Sequence, residues 1–192
     1  YHLFRGQSNR AIERLRRGWE VMNRSLPPFD RVQTQMADLG TYTRAGRQAE
    51  GESVLDSLVL QLAAEFADLS AIGRMNLSID GDDPDAIEEA RIEFTKFLDS
   101  FGLETIRYAL PYADGRVAEL RGDCRLATRR YSEAMELNPG DAWIRLALAR
   151  CLRLKGDYRA ARENLEYLLE LVPVHPDVHY ELALVLEAEG DT

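Results

Sequence analysis

The sequence predicts an all-α protein in which antiparallel helical hairpins stack side by side. Three observations carry that reading. The pair Gly-Asp recurs at Gly122, Gly156 and Gly190, spaced by 34 and 34 residues. Five places after the first two glycines stand Ala127 and Ala161, four places further Tyr131 and Leu165, and Pro139 and Pro173 close the units. No segment alternates with period two for long, whereas apolar residues recur at helical spacing.

The amino-terminal half carries a weaker form of this pattern. Gly6 is followed by Ala11-x3-Leu15. Gly46 is preceded by Leu39-x2-Tyr42 and followed by Gly51-x3-Leu55, while Gly81 has no such follower. The spacings from Gly6 to Gly46, Gly81 and Gly122 are 40, 35 and 41 residues, which reads as degenerate repeats with insertions over residues 1–107. The last spacing exceeds 34 by seven. Seven residues are close to two helical turns, so an insertion inside a helix would keep its buried face. Between Val54 and Ser78 there is no Pro and the only Gly is Gly73. Repeat phasing wants a turn near Ala63-Ala64; one long helix over about residues 47–79 is the competing reading.

The acidic stretch Asp80-Gly81-Asp82-Asp83-Pro84-Asp85 departs from a calcium loop, because Pro84 takes an acidic position and Gly81 is misplaced. An exposed loop is expected there, with Asp82, Asp83 or Asp85 capping the next helix.

Residues 108–192 hold the regular repeats. Glycine ends a helix in a left-handed cap without a Cβ penalty, and the following Asp accepts from free N–H groups of the next helix. Ala127 and Ala161 let two helices approach, with Tyr131 and Leu165 filling the space beside them. Asn138-Pro139 and Val172-Pro173 stop helices, since a residue before Pro avoids the helical region. Leu146, Ala149, Leu152 and Leu154 form one apolar stripe, and Leu165, Leu168, Leu169 and Val172 another.

These residues resemble the tetratricopeptide repeat, whose pattern reads W-x2-L-G-x2-Y, A-x3-F, P. The chain offers Arg145-x2-Leu148-Ala149-x2-Leu152, Ala161-x3-Leu165 and Pro173. The next unit begins His179-x2-Leu182-Ala183-x2-Leu186, which puts His179 at a position usually filled by a packing aromatic. The preceding unit has Gly115-x2-Ala118, Ala127-x3-Tyr131 and Pro139, but Pro111 and Asp114 replace the first aromatic and the Leu. The resemblance implies a right-handed superhelix, a TPR-like α-solenoid of about five to six units forming one domain.

It also implies a function: a scaffold that binds a protein or peptide in a concave groove lined by the first helix of each hairpin. By repeat position the lining includes Tyr112, Arg116 and Glu119, then Trp143, Leu146, Arg150 and Arg153, then Tyr180, Leu184 and Glu187. Arg116 and Arg150 share one register. On a protein of net charge −9, stacked Arg suits the carboxylates of an acidic peptide. Trp143 and Tyr180 would be its apolar anchors. The bland alternative stands beside this: Arg150 and Arg153 pair with Glu119 or Glu187 across helices, and Trp143 is core. The Asn of carboxylate-clamp arrays is missing from these positions.

Other chemistries find little footing. The net charge argues against nucleic-acid binding, although Arg5, Arg10, Arg14, Arg16 and Arg17 make the amino-terminal helix basic. A solvated face and a docking patch are both open there. No run reaches the length of a membrane-crossing helix. Cys124 and Cys151 fit buried thiols, with a bridge between neighbouring repeats as the alternative. His175 and His179 have a metal-ligand spacing, but Pro176 intervenes and no third ligand is evident. No nucleophile, phosphate loop or carboxylate pair stands out, so neither catalysis nor a cofactor is expected.

Lys occurs only at Lys96 and Lys155, an Arg bias that often accompanies a GC-rich genome and suggests a bacterial source. The chain starts at Tyr1 and stops after Gly190-Asp191-Thr192. It reads as a piece of a longer protein whose cut ends would expose apolar surface and self-associate. The array would then be a binder, a regulatory or substrate-positioning appendage of a larger enzyme, or a structural oligomerisation unit. The compartment is not fixed: the cytoplasm is favoured and the periplasm stays open.

Overall fold

The computed structural model describes residues 7–62 and 64–190, so Gly6, Ala63 and Asp191 lie outside them. Every regular element among the described residues is helical. The described residues up to 102 and those from 103 onward form separate compact units.

The amino-terminal unit contains α1 (Ser8–Ser25), α2 (Pro28–Ala37), α3 (Gly40–Arg44), α4 (Gln48–Val59), α5 (Ser70–Ser78) and α6 (Pro84–Phe101). Helix α1 packs on α2 and α3, α4 packs on α3 and α5, and α5 packs on α6. The core gathers Ile12, Met36, Leu39, Tyr42, Met75, Ile87 and Leu98. At Gly51 a Cβ would lie 2.5 Å from a Leu77 methyl and 2.9 Å from Tyr42 Cβ, so the first turn of α4 depends on glycine.

Residues 47–79 are not one helix. Helix α4 stops at Val59, Leu60 is 86% exposed, and a 3-10 segment, Ala64–Leu69, leads into α5. Gly81 lies at the α5–α6 bend but is not in the left-handed region, which fits its lack of a repeat-like follower. The extra length before Gly122 is not two turns inside a helix. It is divided between an 18-residue α6 and a connection holding the 3-10 segment Glu104–Ile106.

The carboxy-terminal unit contains α7 (Ala109–Leu120), α8 (Cys124–Leu137), α9 (Ala142–Leu154), α10 (Tyr158–Leu171) and α11 (Pro176–Glu189). Each helix packs on the next, and α9 also packs on α11. Gly122 and Gly156 both have φ +82° and sit at hairpin bends. Asp123 N–H donates to Ala118 O at 2.8 Å and Asp157 N–H to Leu152 O at 3.0 Å, the six-to-one bond of a left-handed cap. Arg47 N–H repeats it onto Tyr42 O at 2.8 Å beside Gly46. The Asp123, Asp157, Asp141 and Asp83 carboxylates cap α8, α10, α9 and α6.

Small and large residues meet as the period requires. Ala127, Tyr131, Ala161 and Leu165 are fully buried. A Cβ on Gly115 would stand 2.4 Å from the Tyr131 ring, so the bulkier Tyr demands Gly where the following unit has Ala149 opposite Leu165. Leu154 departs from its expected stripe: it lies at the last turn of α9 and is 56% exposed.

Candidate functional site: a charge ladder across three helices

The predicted lining residues fall on one face of α7, α9 and α11, but the structure sorts them differently from the sequence. Tyr112 and Arg116 are buried, so they are not contact surface. Arg116 Nη1 donates to Glu119 Oε2 at 2.7 Å, and the Tyr131 hydroxyl donates to the same oxygen at 2.5 Å. Arg150 Nε lies 3.4 Å from Glu119 Oε1 and 3.9 Å from Glu181 Oε1. Arg153 Nε donates to Glu181 Oε2 at 2.8 Å. The order Arg116, Glu119, Arg150, Glu181, Arg153 therefore alternates in sign from α7 through α9 to α11.

Burial differs along this ladder. The side chains of Glu119 and Glu181 are each 10% exposed, and that of Arg150 is 38% exposed. Arg150 Nε is itself buried and hydrogen-bonded to neither carboxylate. The cation is thus held by charge between two acids while its side chain stays partly open to solvent. Burial works against the charge on Arg116, but the surroundings, with the hydrogen-bonded Glu119 carboxylate among them, outweigh it and leave the guanidinium more basic than usual. Burial and then Glu119 push the Tyr131 phenol well up, so it stays a donor.

Glu181 was not among the residues expected here. The partner anticipated on α11 was Glu187, which is exposed and makes no ion pair among the described residues. A signal for Glu181 did exist. In the 34-residue register it stands where the earlier units have Ala113 and Ala147, both buried. A carboxylate at a core position requires a cation nearby.

Trp143 is half-buried, and its ring meets the His175 imidazole edge-on at 5.5 Å. His175 is buried and His179 exposed, the reverse of the expected packing role for His179. The His179 ring stands 2.7 Å from Pro173 O instead. Burial pushes the His175 imidazole below its usual 6.5, against the pull of Asp177. Tyr180 is 64% exposed. Cys151 is buried and Cys124 half-buried, both as free thiols. Burial, followed by Glu119 and the neighbouring Cys124, pushes the Cys151 thiol up. No three His, Cys, Asp or Glu side chains among the described residues gather as a metal site would require. No helix among them is long and apolar enough to cross a membrane.

The glycine-capped hairpins, small-large seams and aligned first helices define a helical repeat array. Residues 131–163, from mid-α8 to the first half of α10, match the family model described as tetratricopeptide repeat. A repeat of this type suggests, at the coarse level, a protein-interaction scaffold. No curated protein matches the chain.

Proposed function

We propose that the protein is a non-catalytic scaffold that holds a protein or peptide segment across the first-helix face of the carboxy-terminal unit. The observation that carries this is Arg150: it is set between Glu119 and Glu181, partly open to solvent, and flanked by the half-buried Trp143. The ladder holds three guanidinium groups against two carboxylates, which leaves one positive charge on a chain of net charge −9. That local excess favours an acidic segment, with Trp143 supplying apolar contact. Arg116 and Arg153 position Glu119 and Glu181 and thereby Arg150. Tyr112 contributes through the core, its ring centroid 5.9 Å from that of Tyr131.

An array of immobilised short peptides of graded acidity tests this with the chain itself. Wild type should retain acidic, aromatic-containing peptides. Arg150→Gln and Trp143→Ala should lose them with circular dichroism unchanged. Equal retention by the folded variants, or no retention by wild type, removes the reading.

A further inference from the structure

The chain holds only two cysteines, and the fold brings them together. Cys124 is the first residue of α8, and Cys151 lies in the last turn of α9. Their thiols hydrogen-bond to each other where the two helices pack. Helices α8 and α9 are joined through residues 138–141, so the thiol pair stands at the opposite, open end of this antiparallel pair.

The repeat does not require sulfur at either position. Val117 and Val185 stand 34 residues before and after Cys151, and both are buried as Cys151 is. Cys124 has Tyr158 as its counterpart one unit later. Valine therefore satisfies the packing of this first-helix position, and cysteine is used where it meets a second cysteine. A buried thiol serving only as a small apolar filler needs no such partner.

The two thiols differ in access. Cys151 is fully buried and Cys124 half-buried. Burial first, then Glu119 and Cys124, push the Cys151 thiol up and keep it protonated. A dissolved oxidant therefore meets Cys124 first. We propose that Cys124 and Cys151 form a modification site for peroxide, whose product is a reversible intrachain disulfide clamping α8 to α9. The Cys124 sulfur attacks one oxygen of hydrogen peroxide and the O–O bond breaks. The departing hydroxide takes the thiol proton and leaves as water, and Cys124 becomes a sulfenic acid. The Cys151 sulfur then attacks the Cys124 sulfur. The S–O bond breaks, the hydroxyl leaves with the Cys151 proton as a second water, and the S–S bond forms. The two thiols together lose two electrons, and one peroxide gains them. The contact between the thiols supplies the proximity that offsets the low thiolate content of Cys151. The new bond closes a ring through α8, the connection and α9. Such a cross-link removes conformations from the unfolded chain, so the oxidised form is the more stable one.

The test exposes the chain to hydrogen peroxide, quenches with catalase, and unfolds it in N-ethylmaleimide. Untreated protein should take a label on both thiols and treated protein on neither, with both restored by dithiothreitol. Non-reducing peptide mapping should find Cys124 joined to Cys151 in monomeric chains, and the urea midpoint should rise on oxidation. Cys124→Ser should keep Cys151 free to label under the same treatment. Cys151→Val copies the residue of the neighbouring units, so it should fold normally and gain no stability when treated. Both variants also register any action of peroxide elsewhere in the chain. The proposal is overturned by treated wild type that still takes both labels, or by label loss that dithiothreitol does not reverse. Disulfide-linked dimers in place of the intrachain bond overturn it too, as does Cys151 lost as fast in Cys124→Ser as in wild type. An oxidised chain no more stable than the reduced one overturns the clamp.

Discussion

Arg153 of α9 donates to Glu181 of α11 at 2.8 Å, and Glu181 occupies the register position that holds Ala147 one repeat earlier. The exchange of Ala for Glu is confined to the last first helix. There it meets two Arg side chains, from adjacent turns of α9. One substitution thus links α9 to α11 by charge as well as by apolar packing.

Glu181→Ala should restore an apolar residue that the earlier repeats accommodate, so its cost isolates the ladder. Removing a largely buried carboxylate from two cations is expected to lower unfolding free energy by about 1–3 kcal/mol. The lower end is favoured because Arg150 is more than one-third exposed and water screens it. Glu187→Ala, on the exposed face, should change stability by less than about 0.5 kcal/mol. Urea unfolding of the two variants checks this; equal effects would show that the ladder contributes nothing.

Gly115→Ala should strain the α7–α8 seam, because the new methyl would lie 2.4 Å from the Tyr131 ring. Overpacking of this kind costs about 1–3 kcal/mol. Tyr131→Leu removes the clash and reproduces the Ala149–Leu165 pairing of the next unit, at the loss of the hydroxyl bond to Glu119. The double variant is expected to be more stable than the sum of the single effects by about 1 kcal/mol. Strict additivity in a double-mutant cycle would show that the two positions do not share the seam.

Stability should fall between neutral and mildly acid pH through His175. Burial places its folded pKa below the usual 6.5. Between the folded value and 6.5 the unfolded chain binds more protons, so the contribution is complete above 6.5 and lost as pH drops toward the folded value. Urea midpoints of wild type and His175→Asn, measured from about pH 7.5 to about pH 5, should show a shallower decline in the variant. Trp143 fluorescence reports the same transition locally, since the two rings touch. Identical pH profiles would rule out this contribution.

Much of the architecture is legible along the chain because it rests on short-range chemistry. A left-handed glycine, an Asp cap and a helix-stopping Pro each act within a few residues of their own position, so Gly122, Gly156, Asp123, Asp157 and Pro139 declare their bends without reference to distant segments. The pairing of Ala161 with Leu165, and of Ala127 with Tyr131, is equally local to one helix face. In the amino-terminal half the same signals thin out: repeat phasing asks for a turn near Ala63-Ala64, and α4 does stop before it, but no Gly or Pro marks the place. Nothing in the run from Val54 to Ser78 stops a helix by itself; the break there belongs to the packed unit.

By itself the sequence determined the helical hairpins, their period and the face on which Arg116, Arg150 and Arg153 lie. Only the tertiary structure decided which acids those cations meet, and that Tyr112 and Arg116 are core while Arg150 reaches water. The physical reason is geometric: Glu181 and Glu187 both belong to α11, but six residues rotate a side chain well around the helix axis. Which of them faces α9 depends on how one helix is set against another, and periodicity along a single chain carries no record of that.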